Sequence, residues 1–211
     1  MKPTALTADT LLAGVSELCR RDPHLAAVVE RHGPPPMWGR RPGFPTLVKI
    51  ILEQQVSLAS ADATFRKLQG AVDRLTPASF LRLSDTRLKR AGFSRQKTRY
   101  CRELAQAVRE RRLVPKRLET LDDEAVEEQL KQVPGIGPWS ARIYLLMVLR
   151  RPDVWPVGDL ALAIAAQRVK RLRTRPSDDR LERISRPWRP WRAVAARVLW
   201  HHYLSDRRAL R

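Results

Sequence analysis

Two short stretches of the chain hold residue types that can do chemistry. The first is 130–141, LKQVPGIGPWSA. Helical text runs up to Leu130 and resumes after Pro138, and between them Gly135 and Gly137 flank Ile136. Glycines there can take positive φ and bring the backbone close to another surface. Ile136 is placed to bury itself between two helices. The N–H groups that open the second helix then face outward as an anion site. The second stretch is 150–162, RRPDVWPVGDLAL. Asp159 precedes apolar helical text over 160–172 and reads as its N-cap, where the helix dipole favours negative charge. Asp153 is a second acid, earlier in the same loop.

The bulk numbers say what such groups would act on. The chain has 211 residues, with 41 Lys+Arg against 22 Asp+Glu, a formal charge of +19 and a pI near 11.3. An enzyme acting on a neutral metabolite has no need of that excess. A nucleic-acid partner does, because each phosphate neutralised releases condensed counterions. A phosphate in the Gly135–Gly137 turn would position the protein without reading a base. Cys19 and Cys101 are too few for an iron–sulfur cluster or a zinc finger, and both read as small buried residues. No apolar run reaches the roughly 18 residues of a membrane span. The N-terminus lacks the short apolar core of a secretion signal. The expected location is the cytoplasm, on the chromosome, or the nucleus in a eukaryote.

The elements that must position these groups read as helices throughout. Apolar residues recur at three and four spacing over 11–18, 47–68, 100–108 and 141–149. Prolines punctuate the gaps, which gives about eight to eleven helices and no strand. Thr76 before Pro77, Ser84 and Ser94 read as N-caps, and Gly92 as a terminator. The acidic run Asp122-Asp123-Glu124 opens a further helix.

The hairpin string and the Pro156-Val157-Gly158-Asp159 lead-in together resemble the helix-hairpin-helix DNA glycosylase superfamily. The likeness covers about residues 44–204 of the chain. It implies an all-α, two-lobed helical fold with the active site in a cleft between the lobes. One lobe is expected from 1–45 plus 160–211. The other is expected from 46–159, with the helix-hairpin-helix at about 124–149. It also implies that Asp159 is the catalytic carboxylate. Breaking an N-glycosidic bond develops positive charge on the sugar, and a fixed carboxylate stabilises that charge and can orient water. Lyase-type members carry a lysine after the proline of the hairpin; this chain has Trp139. An indole forms no Schiff base, so a monofunctional enzyme is expected, without an iron–sulfur cluster.

Within the superfamily the chain resembles the alkyladenine branch. There, aromatic walls hold a base made cationic by alkylation, a contact worth roughly 0.5–2 kcal/mol. The resemblance names Trp139, Trp200, Tyr144 and Leu160 as pocket residues. Trp191, in the stretch WRPWRA (188–193), matches the branch's C-terminal signature. Leu160 stands where an aromatic is common, which could change the lesions that fit. Trp38 and Phe44 could line the pocket mouth. The helix text of 47–61, LVKIILEQQVSLASA, resembles the branch's early core helix. A side chain must fill the gap left by a flipped base, and the candidates are Ala91, Phe93, Gln54 and its neighbour Gln55. The DNA face combines Gly135, Ile136 and Gly137 with Lys131, Arg142, Arg95, Lys97 and Arg99. Arg168–Arg175 reads as a solvated basic face. The family's hairpin binds a monovalent cation, Na+ or K+, through backbone carbonyls, which implies Val133 and Ile136 here. The small α/β domain of larger relatives is expected to be absent, since too few residues precede Thr46.

The expected activity is removal of alkylated purines, of the 3-methyladenine or 7-methylguanine type, from duplex DNA by a monomer. A non-catalytic DNA-binding module is the rival from another class. Hypoxanthine, ethenoadenine and uracil are rival lesions.

Overall fold

A computed structural model of the chain describes residues 5–209, with side chains to Asp206. The first four and last two positions of the expected terminal lobe lie outside the described residues. Those described form twelve α-helices and two 3₁₀ turns, with no strand. In chain order α1 is Ala8–Arg21, α2 Pro23–His32, α3 Phe44–Glu53 and α4 Leu58–Gly70. The short helices α5 (Pro77–Leu81) and α6 (Asp85–Ala91) follow, then α7 (Arg95–Arg109). After a 3₁₀ turn at Pro115–Thr120 come α8 (Asp123–Lys131) and α9 (Pro138–Met147). The chain ends with α10 (Leu160–Val169), α11 (Asp178–Ser185), a 3₁₀ turn at Arg186–Trp188, and α12 (Arg192–Ala209).

The chain divides into two compact units. One is Arg40–Leu149; the other joins the residues up to Gly39 to those from Arg150 onward. The division differs from the expected 45/46 and 159/160. The loop that carries Asp159 belongs to the terminal unit, because its anchors lie there.

In the Arg40–Leu149 unit, α3 is the central helix. Phe44, Leu47, Val48, Ile50, Ile51, Leu52 and Glu53 are all buried. A helix covered on every side must place its polar ends carefully. The buried Glu53 carboxylate accepts two hydrogen bonds from Arg40, each 2.8 Å. The apolar text of 47–68 is not one helix. It breaks after Glu53, and Ser57 restarts it by accepting from Ser60 N. Ser57 was the sequence signal for that break. The capping residues read from sequence take their places: Thr76 forms a capping box with Ser79, and Ser84 and Ser94 each accept from the third residue on; in the acidic run that opens α8, Asp122 does the same. Gly92 ends α6 in the left-handed region.

In the terminal unit, α12 is the buried spine, with Ala193–Leu199 covered throughout. It packs on α10, α2 and α1. Asp22 joins the remaining pieces. Its Oδ1 caps α2 by accepting from His24 N at 3.1 Å and Leu25 N at 3.4 Å. Its Oδ2 accepts from Lys170 Nζ at 2.5 Å, at the end of α10, and from Trp188 Nε1 at 2.7 Å. Burial alone would raise this carboxyl's pKa. The Lys170 and Trp188 hydrogen bonds outweigh it and hold the group below its ordinary value. Cys101 is buried as expected, whereas Cys19 is only half-buried.

Breaking a buried, hydrogen-bonded ion pair costs about 3 kcal/mol or more. Asp22→Asn should therefore lower stability by about that amount near neutral pH. A depressed folded-state pKa contributes stability above the unfolded value of about 3.9, and loses it as pH falls through the folded value. Thermal unfolding from pH 7 down to pH 2 should show the gap between wild type and Asp22→Asn closing on the acid side only.

Candidate catalytic carboxylate and nucleic-acid interface

The two acids of the 150–159 loop have different fates. Asp153 is clamped by the first residue of α12. Arg192 donates from Nε to Oδ1 and from Nη2 to Oδ2, both at 2.9 Å, and its backbone N–H donates to Oδ1 at 3.2 Å. Ala193 N also donates to Pro152 O at 3.0 Å. That end of the loop is consumed by structure. Val154, Trp155 and Pro156 then turn inward, and the Trp155 ring lies 5.6 Å from Trp188.

Asp159 closes the loop as the N-cap of α10. Its Oδ1 accepts from Leu162 N at 2.9 Å and from the Trp200 indole Nε1 at 3.2 Å. Asp159 is half-buried, and its neighbour Leu160 is 58% exposed at the mouth of the helix. Trp200 projects from α12, the helix that also clamps Asp153. One helix thus fixes both ends of the loop. The resulting carboxylate is oriented by a backbone N–H and an indole N–H, at the positive end of a helix. Such a group can stabilise positive charge or accept a proton from water.

The hairpin lies in the other unit. α8 and α9 flank a turn in which Ile136 N donates to Val133 O at 3.0 Å, and Ile136 is buried between them. The two glycines are not equivalent. Gly135 has φ +92°, and a Cβ there would stand 2.2 Å from Tyr100 Cγ. Gly137 caps α9 in extended backbone with φ −92°, and a Cβ there would meet nothing within 4 Å. The expectation of positive φ therefore holds at Gly135 and not at Gly137. Nothing inside the protein requires glycine at 137; the room it leaves faces outward. Gln54 braces the turn. Its amide donates to Gly135 O at 2.7 Å and to Ser140 Oγ at 2.8 Å. A cleft of about 430 Å³ opens here, lined by Gln54, Gln55, Tyr100, Lys131 and the hairpin backbone.

Several expected roles are corrected by these placements. Gln54 is committed to bracing and is no wedge. Phe93 is buried with its ring 5.9 Å from Phe80, and Ala91 is buried as well, so neither can enter a duplex. Tyr144 is fully buried, with a hydroxyl that meets no hydrogen-bond partner among the described residues, and offers no face to a base. Burial pushes its phenol pKa up, with the Glu119 charge adding to it. Arg142 pairs with Glu127 at 3.1 Å and ties α9 to α8. Lys97 donates to Leu52 O at 2.6 Å near the end of α3, and burial pulls its pKa below the usual lysine range. Phe44 packs on Phe80 inside its unit, and Trp191 lies against Gly14 of α1, where a Cβ would meet its ring at 2.8 Å. Lys131 and Arg95 are exposed beside the hairpin and at the start of α7, and Arg99 lies over the Tyr100 ring. Trp139 is half-buried as the second residue of α9.

One feature was missed in sequence. Tyr100 shapes the hairpin from 35 residues upstream, where no local pattern marks it. Gln55, one of the candidates read from sequence for the gap, sits exposed in the break after α3 with φ +56°, a conformation uncommon for a residue with a side chain.

The chain belongs to the HhH-GPD superfamily of base excision DNA repair proteins, whose pattern it matches over residues 48–190. It is 27% identical over 203 residues to DNA-3-methyladenine glycosylase 1 of Schizosaccharomyces pombe, spanning 93% of this chain and 87% of that protein. Its fold matches a Schizosaccharomyces pombe 3-methyladenine DNA glycosylase solved in complex with abasic DNA, with a TM-score of 0.81, 24% identity, and coverage of 90% and 95% of the two chains. A DNA-3-methyladenine glycosidase from Bacillus halodurans matches with a TM-score of 0.74 and 28% identity, over 92% and 91%.

The two glycines make opposite predictions. Gly135→Ala meets both a strained φ and the Tyr100 ring, and should cost about 2 kcal/mol or more of stability. Gly137→Ala should change stability by less than about 1 kcal/mol. Urea unfolding of both variants checks the pair; equal losses would contradict the asymmetry.

Proposed function

We propose that the protein is a monofunctional DNA glycosylase that removes alkylated purines, of the 3-methyladenine or 7-methylguanine type, from duplex DNA. The observation that carries this is Asp159 Oδ1 held between Leu162 N–H and the Trp200 indole. Family membership and the 3-methyladenine glycosylases among its relatives supply the substrate class.

The protein grips duplex backbone with the outward N–H groups of the hairpin, close to Gly137, while Lys131 and Arg95 add charge. Gln55 is the side chain placed to fill the gap when the damaged nucleotide turns out, because it is exposed and already held away from its own helix. Trp139 offers an aromatic face to a cationic base. Leu160 and Trp200 flank Asp159. The C1′–N bond then breaks, and its electron pair leaves with the base, neutralising the ring charge that alkylation had put there. Asp159 stabilises the cationic sugar and orients the water whose oxygen bonds to C1′; the water's proton passes to the carboxylate or to solvent. The product is an intact abasic site, because Trp139 cannot form the Schiff base that leads to strand cleavage.

A Na+ or K+ ion suits the carbonyls of Val133 and Ile136. A carbonyl has two lone pairs, so Val133 O can hold a hard cation while accepting from Ile136 N. Such an ion would add positive charge beside a phosphate. The protein works as a monomer on chromosomal DNA, in the cytoplasm or, in a eukaryote, the nucleus. No helix among the described residues is long and apolar enough to cross a membrane.

Base release from methylated duplex DNA tests the reading. Asp159→Asn keeps an acceptor for the same two donors, so it should fold and bind DNA while kcat falls at least about a hundredfold. Trp200→Phe should lower kcat about tenfold by removing one hydrogen bond to a charged group. Binding without release by wild type would make the chain a non-catalytic module. Release of hypoxanthine, ethenoadenine or uracil alone would replace the substrate class.

A further inference from the structure

The terminal unit holds a second constellation that the repair chemistry does not use. His32, the last residue of α2, faces His202 and Asp206 on α12. His202 and Asp206 stand four apart, so they share one face of their helix. His32 Nε2 lies 3.4 Å from His202 Nδ1 and 3.8 Å from Asp206 Oδ1, and His202 Nε2 lies 3.4 Å from Asp206 Oδ2. Taking one ligand atom from each residue, the three lie within 4.8 Å of one another. The three side chains are 13%, 11% and 23% exposed.

We propose that His32, His202 and Asp206 form a binding site for one divalent transition-metal ion, of the zinc class, which ties α2 to α12. Metal–nitrogen and metal–oxygen bonds of about 2.0–2.2 Å at tetrahedral angles put ligand atoms roughly 3.3–3.6 Å apart. The short distances run through both ring nitrogens of His202 and both oxygens of Asp206, and with one ligand atom from each residue the three lie within 4.8 Å, so side-chain rotations must draw them together around the ion. Imidazole nitrogen with one carboxylate oxygen is the donor set that such ions prefer over magnesium or calcium. Water completes the fourth position. The charged neighbours are Arg168, with Nη1 3.8 Å from Asp206 Oδ2, and Arg31. Arg168 supports the carboxylate from outside the ligand set. The site's consequence is mechanical. α12 carries Trp200, two residues before His202, and Trp200 orients Asp159. An ion bridging α2 and α12 stiffens the helix on which that orientation depends. The site itself does not rest on the repair reading.

The test uses the full chain stripped with EDTA and desalted. Titration with zinc chloride by calorimetry should show one equivalent bound at micromolar concentration or tighter, with a rise in Tm. Cobalt(II) should give the visible absorption of a four-coordinate ion without a thiolate charge-transfer band, which separates this site from Cys19. His32→Gln and Asp206→Asn should each weaken binding by about tenfold or more, and His24→Ala should leave it unchanged. Should one variant fail to fold, the other together with the wild-type cobalt spectrum decides. Absence of stoichiometric binding by wild type overturns the proposal and leaves a hydrogen-bonded histidine cluster. So does binding that is unaltered in both ligand variants.

Discussion

A carboxylate oxygen shared between the Leu162 N–H and the Trp200 indole sets what the terminal unit has to achieve. The first donor is local, three residues away in the helix that Asp159 caps. The second comes from 41 residues further on, and it can arrive only if α12 is held in register with α10. The buried run Ala193–Leu199 supplies that register by packing. Arg192, at the head of the same helix, fixes the other end of the loop through Asp153. Asp22 then gathers the α1–α2 junction, the end of α10 and the Trp188 turn onto one buried carboxylate. These contacts all serve to leave one acid with a defined direction. The contrast between the two acids of the loop follows: Asp153 is held by a bidentate arginine, and Asp159 Oδ1 by a backbone N–H and an indole N–H.

The hairpin solves a different problem, because what it must fix is backbone. A Gly-x-Gly turn is flexible in isolation, and conformational freedom at the turn would weaken any anion site it makes. Three contacts remove that freedom. Ile136 is buried, the Tyr100 ring occupies the space a side chain at Gly135 would need, and Gln54 holds the Gly135 carbonyl. Gly137 is left with open space on its outer side. One glycine is therefore required by the protein, while the other suits whatever approaches it.

Much of this was legible in the sequence, because it is local. The helix caps at Thr76, Ser84, Ser94, Asp122 and Asp159 follow from side-chain chemistry within three residues. The hairpin and the Asp159 lead-in are contiguous strings. What could not be read were pairings across the chain. The 47–68 run is apolar on both sides of its break, and periodicity alone passed over Ser57. Phe93 and Tyr144 looked like contact residues because aromatic type says nothing of which way a ring turns; both are core. Gln54 was drawn toward DNA by its neighbours, yet its partners are Gly135 and Ser140, more than 80 residues on. The terminal unit is assembled from the two ends of the chain, so its boundary at Leu149 depended on knowing that Asp153 would meet Arg192.

The formal charge of +19 gains meaning only when the cations are placed. Arg40, Lys97, Arg102, Arg142, Lys170 and Arg192 all hold the fold together through carboxylates or carbonyls. Their charge still contributes to the long-range field, but to take a phosphate each would have to give up a partner within the protein. Lys131 and Arg95 are exposed, one at the end of α8 and the other at the start of α7, in the unit that carries the hairpin turn. Excess charge therefore steers the protein toward a polyanion, whichever of its cations are engaged within the fold. Backbone N–H groups open α9 beside Gly137, and the contacts of Ile136, Tyr100 and Gln54 fix the turn that leads into them. A phosphate held by main-chain atoms alone would be held alike in any sequence, and selectivity would then have to come from side chains that meet the base.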